Sequence, residues 1–447
     1  LTVEPTSTSF GSDFDFSNWT FASSLGGLTI GKPLNASGLS VSAATTIDGP
    51  IQLYGGSVSV DERLASTSGG ITINSSALSG SGELAPGVGQ TLTLLQTSSS
   101  NFAGDISGTD VALVKDGSSA LTLSGGLSYS GQTTINDGTL IIRQDSLASV
   151  GKTFNGSGIL KIESASASFD SDVNFSDWTF ASALGGLTVG KSTNESAINV
   201  DKATQVAGSV NLHGGNILIT EGLISTSGDI LIDADTGSML VRDADGVRID
   251  GPTASVQTLA QSLLTGASGA ITIIGRGGDQ TSLGSSNTKG YGVFVQDGAT
   301  VETAGMGKIL ITGYGGLTAS GVAEASNGVR VSSSDPTQSA SIMTANGDIE
   351  ILGVAGQSVG ATGNIGVHVR NFGRISAGGV GKVEIEGVAG GDSSTQNNIG
   401  VRIRNASNSA RDAAFAGITS QGGAIELTGK SVFRTRGISL ERGGYIA

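Results

Sequence analysis

Apolar and polar residues alternate in short runs along most of this chain. Leu28/Ile30 and Ile51/Leu53 are typical pairs, and segments rich in Gly, Pro, Ser and Asp lie between such pairs. A spacing of two residues between turn segments indicates short strands with one buried face. Corresponding strands begin at Leu28, Ile51 and Ile71, so the pattern returns after roughly 20–23 residues. The pattern therefore predicts an all-β fold, a parallel β-helix (β-solenoid) with about three short strands per rung.

A duplication supports this prediction. Residues 10–73 recur at residues 169–232 without a gap, with 34 identities in 64 aligned positions. An exact repeat of segment length is typical of stacked repeats, because neighbouring repeats hold each other in register. It is not what we expect of a chain built around a single active site.

The last third of the chain has a longer period, roughly 34–42 residues. Gly-Val-x-Val/Ile strands begin at Gly292, Gly328, Gly366 and Gly400, with an outlying copy at Gly246, and a second strand type recurs between them. We interpret each such repeat as two rungs with loops of variable length. At roughly 21 residues per rung the chain would form about 20 rungs, a rod on the order of 100 Å long. Residues 254–264, shortly after a proline, are the one stretch that suggests a short helix.

A different unit separates the two duplicated segments. It reads strand and turn in alternation, and it resembles the autotransporter-associated repeat, whose pattern has Lys, Gly, Leu and Ser-Gly positions followed by Tyr-x-Gly-x-Thr and Gly-x-Leu. The matching residues are Lys115, Gly117, Leu121, Leu123, Ser124, Gly125, Tyr129, Gly131, Thr133, Gly138 and Leu140.

Taken together, the three repeat types resemble the large filamentous-haemagglutinin-like exoproteins of Gram-negative bacteria. The resemblance implies a right-handed parallel β-helix, exported by a type V route and displayed outside the cell as an adhesin or fibre. On this basis we divide the chain into residues 1–106 (first β-helix repeat copy), 107–168 (autotransporter-type rungs), 169–250 (second copy) and 251–447 (34–42-residue repeats).

Composition narrows the choice of partners and compartment. The chain has no cysteine, so an exported form would have to be stable without disulfides. Its formal net charge of −14 disfavours nucleic acid or anionic lipid as the main partner. No stretch approaches the ~20 apolar residues of a membrane-spanning helix. Both ends of the sequence resemble cuts within a longer polypeptide.

Carboxylate pairs are the first candidates for chemistry, because some β-helices cleave polysaccharides with two carboxylates. Asp13/Asp15 form one pair, but the second copy has Asp172/Asn174 there, and hydrated turns explain the pairs more simply. We predict no catalytic site and no cofactor. Calcium remains an alternative, because carboxylate oxygens are its usual ligands. The best candidate ligands are Asp233, Asp235, Asp243 and Asp245.

Aromatic and basic residues offer weaker candidates. Trp19 and Trp178 occupy the same repeat position, either as stacking platforms for a sugar or as core residues packed with phenylalanines. His213 replaces Tyr54 of the first copy, and we expect it at a surface or corner. Arginines make the C-terminal end locally basic, where they could dock acidic rungs of another subunit or face solvent. They are Arg402, Arg404, Arg411, Arg434, Arg436 and Arg442.

We therefore predict a non-catalytic, extracellular segment of a bacterial surface protein, a stiff β-helical rod or fibre for adhesion or filament assembly. Its partners would be further copies of itself, or glycans and proteins of a neighbouring or host cell surface. The alternatives are a β-helix polysaccharide lyase or hydrolase, and a phage tailspike-like receptor-binding fibre.

Overall fold

A computed structural model describes residues 1–145, 153–235, 245–259, 268–278, 290–317, 327–357, 363–391, 398–405, 416–431 and 436–447. The fold is the predicted one, an all-β right-handed parallel β-helix. Two short 3-10 helices, Phe16–Asn18 and Phe175–Asp177, occur at equivalent positions of the two duplicated segments. No helix among the described residues is both long and apolar enough to cross a membrane.

The strands up to the start of the second copy are β1 (Thr2–Val3), β2 (Phe14–Asp15), β3 (Leu28–Ile30), β4 (Leu39–Val41), β5 (Thr45–Ile47), β6 (Ile51–Val60), β7 (Leu64–Ser66), β8 (Ile71–Ser79), β9 (Leu84–Ala85), β10 (Thr91–Gln96), β11 (Ser100–Phe102), β12 (Ile106–Gly108), β13 (Ala112–Asp116), β14 (Ala120–Leu123), β15 (Leu127–Tyr129), β16 (Thr133–Ile135), β17 (Thr139–Arg143), β18 (Thr153–Gly156), β19 (Ile159–Glu163), β20 (Val173–Asn174), β21 (Thr179–Phe180) and β22 (Gly186–Val189).

The remaining strands are β23 (Ile198–Val200), β24 (Thr204–Val206), β25 (Ser209–His213), β26 (Ile217–Ile219), β27 (Gly222–Ser225), β28 (Ile230–Ala234), β29 (Val247–Asp250), β30 (Ser255–Thr258), β31 (Ile271–Arg276), β32 (Val293–Gln296), β33 (Thr300–Thr303), β34 (Ile309–Tyr314), β35 (Val329–Ser332), β36 (Ser341–Thr344), β37 (Ile349–Val354), β38 (Ile365–Arg370), β39 (Arg374–Ala377), β40 (Val383–Val388), β41 (Ile399–Arg404), β42 (Gly417–Ser420), β43 (Ile425–Lys430), β44 (Arg436–Glu441) and β45 (Tyr445–Ile446).

The chain forms two compact units: Leu1–Asp170 with Asp177–Val189, and Ser171–Ser176 with Gly190–Ala447. In the first unit the parallel sheets follow the orders β1-β3-β6-β8-β10-β13-β16-β18-β21, β11-β14-β17-β19-β22 and β5-β7-β9-β12-β15, and β2 and β4 join β6. In the second unit we name the sheets X (β25-β28-β31-β34-β37-β40-β43), Y (β20-β23-β26-β29-β32-β35-β38-β41-β44) and Z (β24-β27-β30-β33-β36-β39-β42-β45). From β25 onward the chain visits X, Y and Z in turn, so each rung has three strands, as predicted.

Columns of like residues hold the rungs in register. In sheet X, Ile271, Ile309, Ile349 and Val383 lie directly beside one another on neighbouring strands, and each is fully buried. Burying one such side chain contributes roughly 1.5–3 kcal/mol. Because side chains alternate between the two faces, a slip by one residue would expose the whole column, which fixes the pairing.

Each of the two duplicated segments has a buried asparagine side chain at the same position. The Nδ2 group of Asn35 donates to the carbonyl oxygen of Tyr54 at 2.8 Å, and that of Asn194 donates to the carbonyl oxygen of His213 at 2.9 Å. Both asparagines are at most 5% exposed. Each amide bridges two successive rungs, which explains why the Gly-Lys-x-x-Asn stretch keeps its spacing in both copies.

The prediction of two rungs per repeat in the last third is wrong. Strand β31 pairs directly with β34, and β34 with β37, although the members of each pair lie one full repeat apart in sequence. Each of these long repeats is therefore one rung. The extra length lies in the connections between strands, chiefly those from sheet X to sheet Y, so the estimate of about 20 rungs at roughly 21 residues each is too high.

Glycines close the base of these long connections. A Cβ atom on Gly313 would lie 2.1 Å from the carbonyl oxygen of Gly328, and one on Gly429 would lie 1.9 Å from that of Gly437. Fewer residues separate Gly429 from Gly437 than Gly313 from Gly328, yet the two backbones come equally close in both pairs. Only residues without a side chain allow the two backbone segments to come so close.

The helix predicted for residues 254–264 is also wrong where the structure describes it. Ser255–Thr258 is strand β30, paired with β27 and β33. Val256 and Thr258 point inward and are at most 1% exposed. Pairing with two neighbouring strands overrides the weak local helical preference. Residues 260–264 lie outside the described residues.

Candidate functional site

The unit that resembles the autotransporter-associated repeat contains a buried lysine. Lys115 points into the interior from β13 and is fully buried. Its Nζ group donates to the carbonyl oxygens of Gly117 and, at 2.9 Å, Asp137. Burial lowers the pKa of Lys115, and the charges of Asp137 and Asp116 partly offset that effect. The lysine thus links the turns of two successive rungs from inside.

Two other polar motif residues, Tyr129 and Thr133, are also buried. The hydroxyls of Tyr129 and Thr133 form a 2.6 Å hydrogen bond, and burial raises the pKa of Tyr129 to about 12. Gly117 and Gly138 have φ values of +78° and +67°, which favour glycine. The polar residues and glycines of the motif therefore serve the interior and the turns of the rungs.

Two of the four predicted calcium ligands are already engaged. Asp235 forms a two-pronged ion pair with Arg276, with Nε–Oδ1 and Nη2–Oδ2 distances of 2.8 and 3.0 Å. Asp233 lies 3.4 Å from Nδ1 of His213 and accepts the backbone N–H of Asp235 at 3.0 Å. An arginine stands where a cation would have to bind, and His213 has the partly exposed position expected of it.

Asp245 has a different environment, and Asp243 lies outside the described residues. Asp245 accepts the backbone N–H of Tyr291 at 2.9 Å. Burial raises its pKa to about 6, against the opposing effects of that hydrogen bond and of Arg248 and Arg330. Across the part of the chain that the structure describes, no three His, Asp or Glu side chains are placed to share a metal ion.

The two tryptophans differ although they occupy one repeat position. Trp19 is 48% exposed, with its ring stacked on Phe14 at 5.1 Å between centroids. Trp178 is 3% exposed and meets the ring of Phe180 edge-on at 5.8 Å, while Phe180 stacks on Phe154 at 5.9 Å. Only Trp19 presents a ring face that a sugar could reach.

A cluster of charged side chains lies on the outer side of sheet Y, and we call it the arginine face. Two columns cross it in register. One column consists of Arg248, Phe294, Arg330, His368, Arg402 and Ser439, and the other of Asp250, Gln296, Ser332, Arg370, Arg404 and Glu441. In the first five strands these are the variable position of the Gly-Val-x-Val/Ile pattern and the residue two further on.

Each end of the arginine face has a carboxylate. Arg248 pairs with Asp250 at 2.8 Å. At the other end Glu441 accepts from Arg402 at 2.7 Å and lies 3.8 Å from Arg404. Burial opposes ionisation of Glu441, but hydrogen bonds from Ser439 and Arg402 hold its pKa below the usual value.

The middle of the arginine face is aromatic and buried. Arg330 lies over the rings of Tyr291 and Phe294, with its Cζ atom 5.2 and 5.1 Å from the centroids. Its Nη1 group donates to the hydroxyl of Tyr291 at 2.5 Å. His368 is 6% exposed, and burial together with the charges of four arginines, led by Arg330 and Arg402, holds its pKa well below the usual value.

Sequence reasoning found Arg402 and Arg404 but missed the rest of this face. Arg330, His368 and Arg402 belong to three successive long repeats and come together only through the pairing of β35, β38 and β41. The signal was the third position of the Gly-Val-x-Val/Ile repeat, which carries a basic or imidazole side chain in three consecutive copies.

Comparison with known proteins relates one part of the chain to a described family. Residues 113–142 match the family model described as passenger-associated-transport-repeat. The match covers strands β13 to β17 almost completely and includes Lys115, Tyr129 and Thr133. The chain is thus similar, in this part, to the repeats of autotransporter passengers. No curated protein and no solved structure matches the chain.

Proposed function

We propose that this chain is an extracellular segment of a secreted surface protein of a Gram-negative bacterium, with a structural and adhesive role. The observation that carries the proposal is the passenger-associated-transport-repeat at residues 113–142. Its motif residues are part of the rungs themselves, because Lys115 and Tyr129 are buried in the β-helix interior. The likeness to filamentous-haemagglutinin-like adhesins is the finer part of this proposal, and the repetition of the rungs supports it.

The mechanism follows from repetition. Each rung pairs with its neighbours through backbone hydrogen bonds and contributes one outer strip of side chains, so that a surface feature repeated in sequence is repeated every ~4.8 Å. Such a surface binds through many weak contacts at once, and its avidity exceeds the affinity of any single contact. Binding to a cell surface and lateral or end-to-end assembly into a filament both use this property.

We further propose that the chain is not an enzyme. The support is the engagement of two candidate carboxylates, since Asp235 is paired with Arg276 and Asp233 accepts the backbone N–H of Asp235. An acid and a base of a glycosidase would both need access to the bond they cleave.

Whole cells of the source bacterium test the location. Antibodies against the purified chain should label intact cells, and brief protease treatment of those cells should remove the label while a cytoplasmic control protein survives. Labelling that appears only after lysis would contradict the proposal.

Adhesion and catalysis need separate tests. A strain that lacks the coding sequence should attach to surfaces and to other cells less well than its parent, and restoring the sequence should recover attachment. Unchanged attachment would refute the adhesive role. Release of new reducing ends or unsaturated sugars from pectate or other polysaccharides would instead support a lyase or hydrolase, and a stable trimer in light scattering would support a tailspike-like fibre.

A further inference from the structure

The middle of the arginine face holds polar atoms that lack a hydrogen-bond partner. The Nε2 atom of His368 and the Nε atom of Arg402 are buried, and neither has a partner among the described residues. A buried polar atom without a partner costs free energy, about 1–3 kcal/mol and more for a charged group. His368 and Arg402 are register neighbours on β38 and β41, so the two atoms belong to one place on the sheet.

The described residues of this face include more arginines than carboxylates, in a chain that is acidic as a whole. On the outer side of sheet Y, the described strands β29 to β44 carry five arginines, Arg248, Arg330, Arg370, Arg402 and Arg404, against the carboxylates of Asp250 and Glu441. Asp245, just before β29, adds a third carboxylate. Neighbouring strands are about 4.8 Å apart, and like charges placed directly opposite each other destabilise a sheet.

Arg330 and Arg402 flank His368 on the two adjacent strands. Arg402 is paired with Glu441 at 2.7 Å, whereas the guanidinium group of Arg330 lies over aromatic rings. Glu441 shows that a carboxylate can bind to these arginines, because it forms an ion pair with Arg402 and lies close to Arg404. An arginine next to a neutral imidazole N–H donor is suited to an oxyanion.

The burial of these side chains favours a small group over a flat protein surface. The side chain of Arg402 is 14% exposed, and His368 is 6% exposed. A second copy of the chain could offer an acidic column on sheet X, where Glu350, Glu384 and Glu426 lie side by side. A flat sheet surface of that kind would contact the exposed residues of the arginine face before its carboxylates reached the buried imidazole of His368.

We propose that the centre of the arginine face, formed by Arg330, His368 and Arg402, binds the carboxylate of a small acid or of an acidic sugar. One carboxylate oxygen accepts the Nε2–H of His368 and the guanidinium groups on either side balance the charge. Repetition along the sheet allows several carboxylates of one polymer to bind in succession to Arg330, His368/Arg370 and Arg402/Arg404. The site is independent of where the cell places the chain.

Nuclear magnetic resonance of the imidazoles tests this site directly, because the chain has only two histidines, His213 and His368. The folded chain is titrated with acetate, galacturonate, trigalacturonate and sulfate at constant ionic strength in sodium chloride. We expect a saturable shift of the His368 signals, tighter for trigalacturonate than for galacturonate, and no shift of His213. A response to the monomeric acids only would identify a free anion as the source and would retain the site.

Matched variants separate the site from general charge effects. Arg402→Gln and Arg330→Gln should each weaken trigalacturonate binding about tenfold, since each removes one charge-assisted interaction. Arg63→Gln, at an exposed ion pair elsewhere in the chain, should leave it unchanged. Arg330→Lys, which keeps the charge, serves as the second variant if Arg330→Gln does not fold, and it should weaken binding less.

Three results would overturn the proposal. They are a shift that grows linearly without saturation, an equal shift of His213, and an equal response to sulfate. A His368 shift that appears on raising the protein concentration without added acid, together with a dimer in sedimentation, would assign the face to a second copy of the chain and not to a carboxylate ligand.

Discussion

Replacement of Lys115 measures how much one buried motif residue contributes to the β-helix. Its Nζ group donates to the carbonyl oxygens of Gly117 and Asp137, and both hydrogen bonds are partly buried. A hydrogen bond to a charged group contributes roughly 1.5–3 kcal/mol. Lys115→Met removes both bonds but also removes the cost of burying an ammonium group, so we expect a net loss of about 2–4 kcal/mol. Lys115→Ala adds a cavity and should cost about 1–2 kcal/mol more.

The assay has to be local, because stacked repeats need not unfold in one step. Hydrogen exchange of backbone amides in β13, β14 and β16 reports the opening free energy of these rungs. Lys161→Met, on β19 of the sheet that contains β14, replaces a partly exposed side chain. It is the control and should change the opening free energy by less than about 0.5 kcal/mol. A similarly small change for Lys115→Met would refute the reasoning.

The pH dependence of the same rungs gives a second check with a defined sign. The pKa of Lys115 is lowered in the folded state from its ordinary value of 10.5. Between those two pKa values the unfolded chain binds more protons, so stability should rise with pH in that window. The Lys115→Met variant should lack this rise.

Three further predictions concern other residues. Asp245→Asn should remove a fall in local stability as the pH rises from about 4 to 6, because the folded pKa of about 6 lies above the ordinary 3.8 and the folded state holds the extra proton; hydrogen exchange around β29 at several pH values measures it, and an unchanged slope would contradict it. Gly313→Ala should destabilise its rung by about 1–3 kcal/mol, because the new Cβ would lie 2.1 Å from a carbonyl oxygen. Gly11→Ala is the control and should be neutral, since a Cβ there has no atom within 4 Å. Equal effects of the two substitutions in thermal melting would refute the close approach. With Trp178→Phe, the emission of Trp19 should be quenched readily by iodide, whereas with Trp19→Phe the remaining emission should be blue-shifted and protected; equal quenching would show that the two rings are not differently exposed.

The rungs could be predicted from sequence because their signal is local. An inward residue at every second position and a glycine-rich turn are visible within a short window, as at Ile271/Ile273 and Ile309/Ile311. The number of rungs could not be predicted in the last third. A sequence period measures the strand and its connections together, and only the pairing of β31 with β34 shows that one whole repeat makes one rung.

The arginine face and the two tryptophans show a different limit. His368 is surrounded by arginines from the repeats before and after its own, so its environment depends on register across connections of unequal length. Trp19 and Trp178 share a repeat position, but Phe14 of the first copy is Val173 in the second, and Phe154 of the rung before packs on Phe180 there. Burial of a repeated residue is set by its neighbouring rungs, which the repeat itself does not contain.

The contacts between glycines at the base of the long connections mark the positions at which the packing of a rung constrains the sequence. Gly313 and Gly328 belong to the packed rung, so the close approach of their backbones constrains both positions, however long the connection between them is. The number of residues between such glycines changes from one rung to the next. Insertions, deletions and grafted peptides can therefore be exchanged at these points one rung at a time, and an engineer could replace a single connection while leaving the adjacent strands untouched.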